Sequence, residues 1–162
     1  MSQIDIIKEK IQYERFLKEE KTSQVLRGEY LIKDSHPDAH RILCVDAKTV
    51  INKKDILADK IVVEGQVLYN VLYASKDESD IERVYGINLS EKFVDSLDLN
   101  IEEHKILCDV ECVVEHIQAN IMNERKISID GLRSTKWNVC KIQESDFVKE
   151  IEGTECIEVK KD

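Results

Sequence analysis

Four side chains of the types that bind soft metal ions stand at equal intervals in the second half of the chain: His104, Cys108, Cys112 and His116, a His-x3-Cys-x3-Cys-x3-His string. Thiolate and imidazole are zinc donors, and on a helix this spacing would gather all four on one face. The intervening residues argue for a strand instead, because Ile106, Val110 and Val114 share the parity of the two cysteines. Four residues of extended chain rise about 13 Å. Zinc needs each donor within about 2.0–2.3 Å of one ion, so a strand cannot close such a site alone. The spacing therefore favours cysteines at ordinary core positions. A metal-dependent enzyme built on the string is the alternative that metal analysis would decide.

His36, Pro37 and Asp38 spell a tripeptide that, in J-domain co-chaperones, lies between two helices and stimulates a partner ATPase. Here strand-like runs, GEYLIKD and RILCVDAK, flank it. A turn accounts for it: proline fixes its own φ and pushes His36 toward extended geometry, while Asp38 can accept a hydrogen bond from a following amide. Acidic clusters, KDESDIE at residues 76–82 and EEHK at residues 102–105, could supply paired carboxylates for acid–base work. They fall where the chain reads as loops, and solvated turns explain them. No nucleophile elbow, glycine-rich phosphate loop or His-Glu-x-x-His pattern occurs. The lone tryptophan, Trp137, reads as a core or interface ring. No residue is assigned a catalytic, cofactor-binding or metal-binding role, and no cofactor is expected.

The elements that would carry these residues are strands. From Thr22 onward the runs VLRGEYLI, HRILCVDAKTVI, KIVVEGQVLYNVLYA, ERVYGINL, HKILCDVECVVEHI, RKISIDGL and KWNVCKI are rich in branched and aromatic residues, each bounded by polar clusters that can turn. In the third run Ile61, Val63, Gly65, Val67, Tyr69, Val71 and Tyr73 share one parity, which predicts a strand with one buried face. In the fifth, the apolar parity runs to Val114 and then jumps to Ile117, Ala119 and Ile121, which predicts a bulge. Before Thr22, Ile4, Ile7 and Ile11 have helical spacing, so residues 1–21 read as a short amphipathic helix, with an edge strand as the competing reading.

KIVVEG, residues 60–65, recurs as KISIDG, residues 126–131. The match suggests two related β units with a glycine at each bend or close backbone approach. The expected domain is residues 22–160, divisible into units 22–100 and 101–160. The fold class is mainly β: an antiparallel sandwich-like or barrel-like domain.

Composition restricts the partners. The chain has 162 residues, 42% hydrophobic and 35% charged, with a net charge of −9, so a core is affordable and a phosphate backbone or anionic membrane would be repelled. The first residues mix charge with apolar positions and contain no unbroken apolar stretch, so the chain is expected to stay where it is made. Five cysteines, Cys44, Cys108, Cys112, Cys140 and Cys156, at irregular spacing fit reduced thiols, with Cys108, Cys112 and Cys140 mostly buried.

Read in order, GEYLIKDSHPDAHRILCVDAK, KIVVEGQVLYNVLYASKDES, EKF and CDVECVVEHIQANIMNERKISIDG resemble successive blocks of the spore-coat-associated (SPOCS) domain family. The family's elements fall on Gly28, Pro37-Asp38, residues 42–46, residues 63–65, Leu72-Tyr73 and Phe93, and the resemblance covers residues 25–137 or so. It implies a non-catalytic module in endospore formation, at the forespore surface in the mother-cell cytoplasm, binding coat-assembly proteins and the sporulation ATPase of the coat basement layer. Family members continue to a LysM domain linked to the ATPase contact. The sequence stops at Asp162 without one, which suggests a shortened form of a longer protein. A module that binds or processes cortex peptidoglycan is the competing reading, to be recognised by exposed aromatics in a groove. Tyr69, Tyr73 and Trp137, however, share parity with aliphatic residues. Partner surface and oligomeric state are not legible.

Overall fold

The computed structural model describes residues 4–100 and 105–153. Its regular elements are six strands: β1 (Ile4–Leu31), β2 (Arg41–Ile56), β3 (Lys60–Lys76), β4 (Glu82–Asp98), β5 (Ile106–Asn123) and β6 (Lys126–Gly153). All pairings are antiparallel and form two three-stranded sheets, ordered β2-β3-β4 and β1-β6-β5. The sandwich-like fold class expected from the sequence is the one observed.

The alternation in β3 has the predicted consequence. Ile61, Val63, Val67, Tyr69, Val71 and Tyr73 are all buried, while Glu64, Leu68, Asn70 and Leu72 face out. In β6 the same role falls to Ile127, Ile129, Arg133, Thr135, Trp137 and Val139. Each buried aliphatic chain contributes on the order of 1.5–3 kcal/mol of transfer free energy. The two central strands thus build most of the core between the sheets. It has two clusters: one around Val67, Tyr69, Val71, Tyr73, Ile127 and Ile129, the other around Ile61, Val63, Leu97, Cys108, Trp137 and Val139.

The repeated string opens both central strands, since β3 starts at Lys60 and β6 at Lys126. Each follows its hairpin partner, β2 or β5, and each partner strand carries two register shifts, one of them beside the glycine of the repeated string. That in β5 lies between Val114 and His116, where the sequence changed phase; that in β2 lies between Ile51 and Lys53. The third strand is β4 for one sheet and β1 for the other, so β1 extends unbroken through residue 21 and its residues 22–31 pair with β6. RKISIDGL and KWNVCKI, two runs in the sequence, are one strand.

The helical reading of the amino-terminal segment is overturned. β1 pairs with β6 from Ile4 opposite Gly153 to Leu31 opposite Lys126, and the edge-strand alternative is the conformation adopted. A lone helix of this length is marginal in water, whereas the ladder to β6 supplies partners for alternate backbone groups all along the strand.

Candidate interaction surfaces and the buried polar node

Between the two apolar clusters lies an ion pair. Arg133 of β6 and Asp95 of β4 are side by side with side chains 4% and 6% exposed. Arg133 Nη2 donates to Asp95 Oδ1 at 2.9 Å, Nη1 donates to Oδ2, and the Thr135 hydroxyl donates to Oδ2 at 2.6 Å. The guanidinium lies over the Phe93 ring, 3.8 Å from its centroid, and Phe93 in turn covers the bare face of Gly65. Cys112 Sγ lies 3.6 Å from both Arg133 Nη1 and the Thr135 hydroxyl. Arg133 Nε has no protein acceptor among the described residues.

Burial pushes the Asp95 carboxyl up, but the hydrogen bonds from Arg133 and Thr135 and the Arg133 charge outweigh it, and the carboxyl titrates below its ordinary range. A sealed pair of this kind, with one guanidinium donor left over, adds little net stability, but loss of either partner would leave the other charge buried and uncompensated. Toward the open side of the sandwich, Glu91 of β4 accepts from Tyr30 at 2.9 Å and from Tyr69 at 3.4 Å. Burial first, then the charge of Glu91, pushes the Tyr69 phenol up to about 12; burial and the hydrogen bond to Glu91 raise Tyr30 further. On the opposite side β2 runs close to β5, where the Thr49 hydroxyl donates to the Cys112 carbonyl and the Lys54 ammonium to the Cys108 carbonyl.

The His/Cys string is pulled apart. Cys108 is buried near Trp137 and Val139, and Cys112 is half-buried beside Arg133. The bulge turns His116 outward, where it is exposed, and His104 lies outside the described residues. His116 therefore leaves the face that Cys108 and Cys112 share, and no group of metal-ligating side chains occurs among the described residues. The expectation that Cys112 and Cys140 are mostly buried is corrected: both are half-buried, Cys140 because it has the opposite parity to Trp137 and Val139. Cys44 is exposed, Cys156 lies outside the described residues, and the four described cysteines are free thiols. Burial raises the Cys108 thiol, more than the nearby Lys54 charge lowers it.

The turn expected at His36-Pro37-Asp38 falls earlier, at residues 33–36, where the His36 amide donates to the Lys33 carbonyl at 2.9 Å; Pro37 and Asp38 follow as irregular loop, and the whole segment is pinned by a residue that the sequence reading missed. Arg125, in the β5–β6 hairpin, donates to the carbonyls of Ile32, Lys33 and His36 at 2.9, 2.7 and 2.7 Å and to the Asp38 carboxylate at 3.1 Å. Asp38 thus accepts from a guanidinium rather than from a following amide. The Tyr73 hydroxyl donates to the Pro37 carbonyl at 2.8 Å. In the acidic β3–β4 hairpin Asp77 Oδ1 accepts from the amides of Ser79 and Ile81, and Glu82 holds Arg41 through two hydrogen bonds. These carboxylates are turn and surface groups.

Trp137, Tyr69 and Tyr73 are buried, with the Trp137 indole donating to the Thr22 hydroxyl at 3.0 Å, so they form no aromatic platform on the surface. What the sandwich offers outward is sheet face and strand edge. The outer face of the β1-β6-β5 sheet holds a shallow concavity of about 600 Å³ lined by Glu19, Glu20, Glu111 and Glu115 with Lys21 and Lys136. Lys21 pairs with Glu115 at 2.5 Å, Lys136 with Glu19 at 3.0 Å and Lys18 with Glu20 at 2.9 Å, which leaves Glu111 to give the floor its acidic excess. The outer face of the other sheet has a smaller hollow of about 400 Å³ that includes Asp46, Lys48, Asn70 and Asn88. Asp95, Arg133 and Thr135 could be found in the sequence only by parity, as polar residues in line with buried aliphatic ones.

A six-stranded antiparallel sandwich with paired central strands, an internal ion pair and charged outer faces defines the class of module. Residues 38–122 match the family model described as SipL, SPOCS domain, and the chain belongs to that family, which is related to the spore coat. No curated protein and no solved structure matches the chain. No helix among the described residues is long and apolar enough to cross a membrane.

Proposed function

We propose that this chain is a non-catalytic protein-interaction module of spore-coat assembly, acting in the mother-cell cytoplasm at the forespore surface. Its partners are coat-assembly proteins, among them the sporulation ATPase of the coat basement layer, with a LysM domain contributing to that last contact. The observation that carries this reading is the distribution of polar groups. The densest constellation, Arg133 with Asp95 and Thr135, is sealed between the sheets, whereas the charge open to solvent is spread over flat strand faces. Such faces suit macromolecular contact, and the family is not known for enzymes.

The acidic floor around Glu111 favours a basic patch on the partner. Capture of coat proteins from sporulating-cell extract is expected at low salt and to fall as salt rises. Glu111→Lys is expected to weaken capture while leaving folding intact. Peptidoglycan turnover by the pure protein, lost on replacing one Asp or Glu, would overturn the reading.

A further inference from the structure

Beyond β5 the β1-β6-β5 sheet narrows to two strands. The last β5 partner of β6 at this end is Lys141, opposite Ile106, yet β1 and β6 stay paired out to Ile4 and Gly153. A two-stranded ribbon is marginal in water by itself. This one exposes apolar side chains on both faces: Ile6 is 54% exposed on one, Ile7, Ile11, Tyr13 and Phe147 are exposed on the other, and Phe16, 60% exposed, follows just inside the three-stranded part. β1 is the free edge of the sheet, so the outward backbone donors and acceptors of residues 4–16 meet no strand among the described residues.

We infer that this edge pairs with the same edge of a second copy, β1 against β1 antiparallel about a two-fold axis, to give a continuous six-stranded sheet. The charge pattern selects that occupant. Residues opposed across an antiparallel pair share a face, and a two-fold perpendicular to the sheet returns each residue to its own face, so opposed residues must have the same parity. Centred on Ile11, such pairing sets Lys8 against Glu14 and Ile6 against Phe16, twice each. Centred on Gln12, it sets Lys10 against Glu14 and Glu9 against Arg15. Both registers oppose unlike charges. Lys8, Lys10 and Glu14 make no ion pair among the described residues, so all three are available. Pairing also joins the two ribbons into four strands, bringing Ile7, Ile11, Tyr13 and Phe147 of both copies onto one face. A long apolar edge invites indiscriminate pairing, and alternating Lys and Glu along it restricts which strand can add.

The test is charge exchange, read by sedimentation equilibrium of the full chain, with circular dichroism confirming that each variant folds. Wild type is expected to approach twice the mass of one chain as concentration rises, and less readily at high salt. Glu14→Lys opposes lysines in either register, and Lys8→Glu with Lys10→Glu opposes glutamates; each is expected to sediment as a monomer alone. Mixed in equal amounts, the two variants are expected to regain dimer mass, a rescue that a purely structural role for these residues would not produce. A monomeric wild type, which would leave the ribbon to another protein or a further segment, overturns the inference. So does undiminished association of both variants.

Discussion

Gly65 and Gly131 occupy the same place in the two sheets: each is directly opposed by an isoleucine of its hairpin partner, Ile51 or Ile117, and each lies against the carbonyl of the residue before it, Val50 or His116. Neither uses positive φ, so space, not backbone freedom, requires the glycine. A Cβ on either would fall well inside contact distance of a neighbouring strand's backbone, which cannot move without disturbing the ladder.

Gly65→Ala and Gly131→Ala are therefore each expected to destabilise the fold by at least ~1 kcal/mol, and the valine variants by more. Gly86→Ala is the control, because its Cβ would meet only a Leu72 methyl carbon at 3.2 Å, which can give way. Thermal unfolding of the set checks the ranking. Unchanged midpoints at both Gly65 and Gly131 would remove the physical basis of the repeat.

The repeat and the buried parity of β3 were legible because strand alternation and glycine are local signals. The phase jump after Val114 was legible for the same reason, and the bulge stands there. Ile4, Ile7 and Ile11 misled because three residues satisfy a helical period by coincidence, while the partner that decides their conformation, β6, starts more than a hundred residues later. Arg133 and Asp95 were missed on similar grounds: each looks like an ordinary surface charge until parity and long-range pairing put both inside. Arg125 gave no signal at all, since its carbonyl partners belong to a loop between β1 and β2.

Asp95 should couple folding to acid. Its carboxyl is held below the ordinary value of 3.8 in the folded state, so the stabilisation it brings is complete above that value and is lost as pH falls through the lower, folded one. Asp95→Asn removes this dependence and also leaves the Arg133 charge buried without a counter-ion, which should cost about 3–5 kcal/mol at neutral pH. Urea denaturation at pH 7 and below pH 4 checks both: the variant is much weaker at pH 7, and its deficit shrinks in acid.

Thiol reactivity should rank with environment rather than with sequence position. In native protein with Cys156→Ser, Cys44 is expected to react first, Cys112 and Cys140 more slowly, and Cys108 only on unfolding, because its thiol is buried and its ionisation is suppressed by burial. Time-resolved labelling followed by peptide mapping gives the order. Rapid native labelling of Cys108 would show that the core cluster around Trp137 and Val139 is open.

The loop through His36-Pro37-Asp38 provides the sharpest separation between a motif and its resemblance. If the segment is structural, its value lies in the Arg125 clamp on four oxygens from Ile32 to Asp38 and not in the histidine, whose ring makes only a 3.1 Å contact with the neighbouring Ser35 hydroxyl. Arg125→Met keeps much of the aliphatic stem but removes every donor. With charge-assisted bonds lost and carbonyls left partly covered, it should destabilise the fold by roughly 1–3 kcal/mol. It should also open residues 32–38 to proteolysis. His36→Gln should change stability by less than about 0.5 kcal/mol, as substitutions away from such features do. Chemical denaturation and limited proteolysis of the two variants, run side by side, measure the contrast, and a larger loss from His36→Gln than from Arg125→Met would return the tripeptide to consideration as a functional motif.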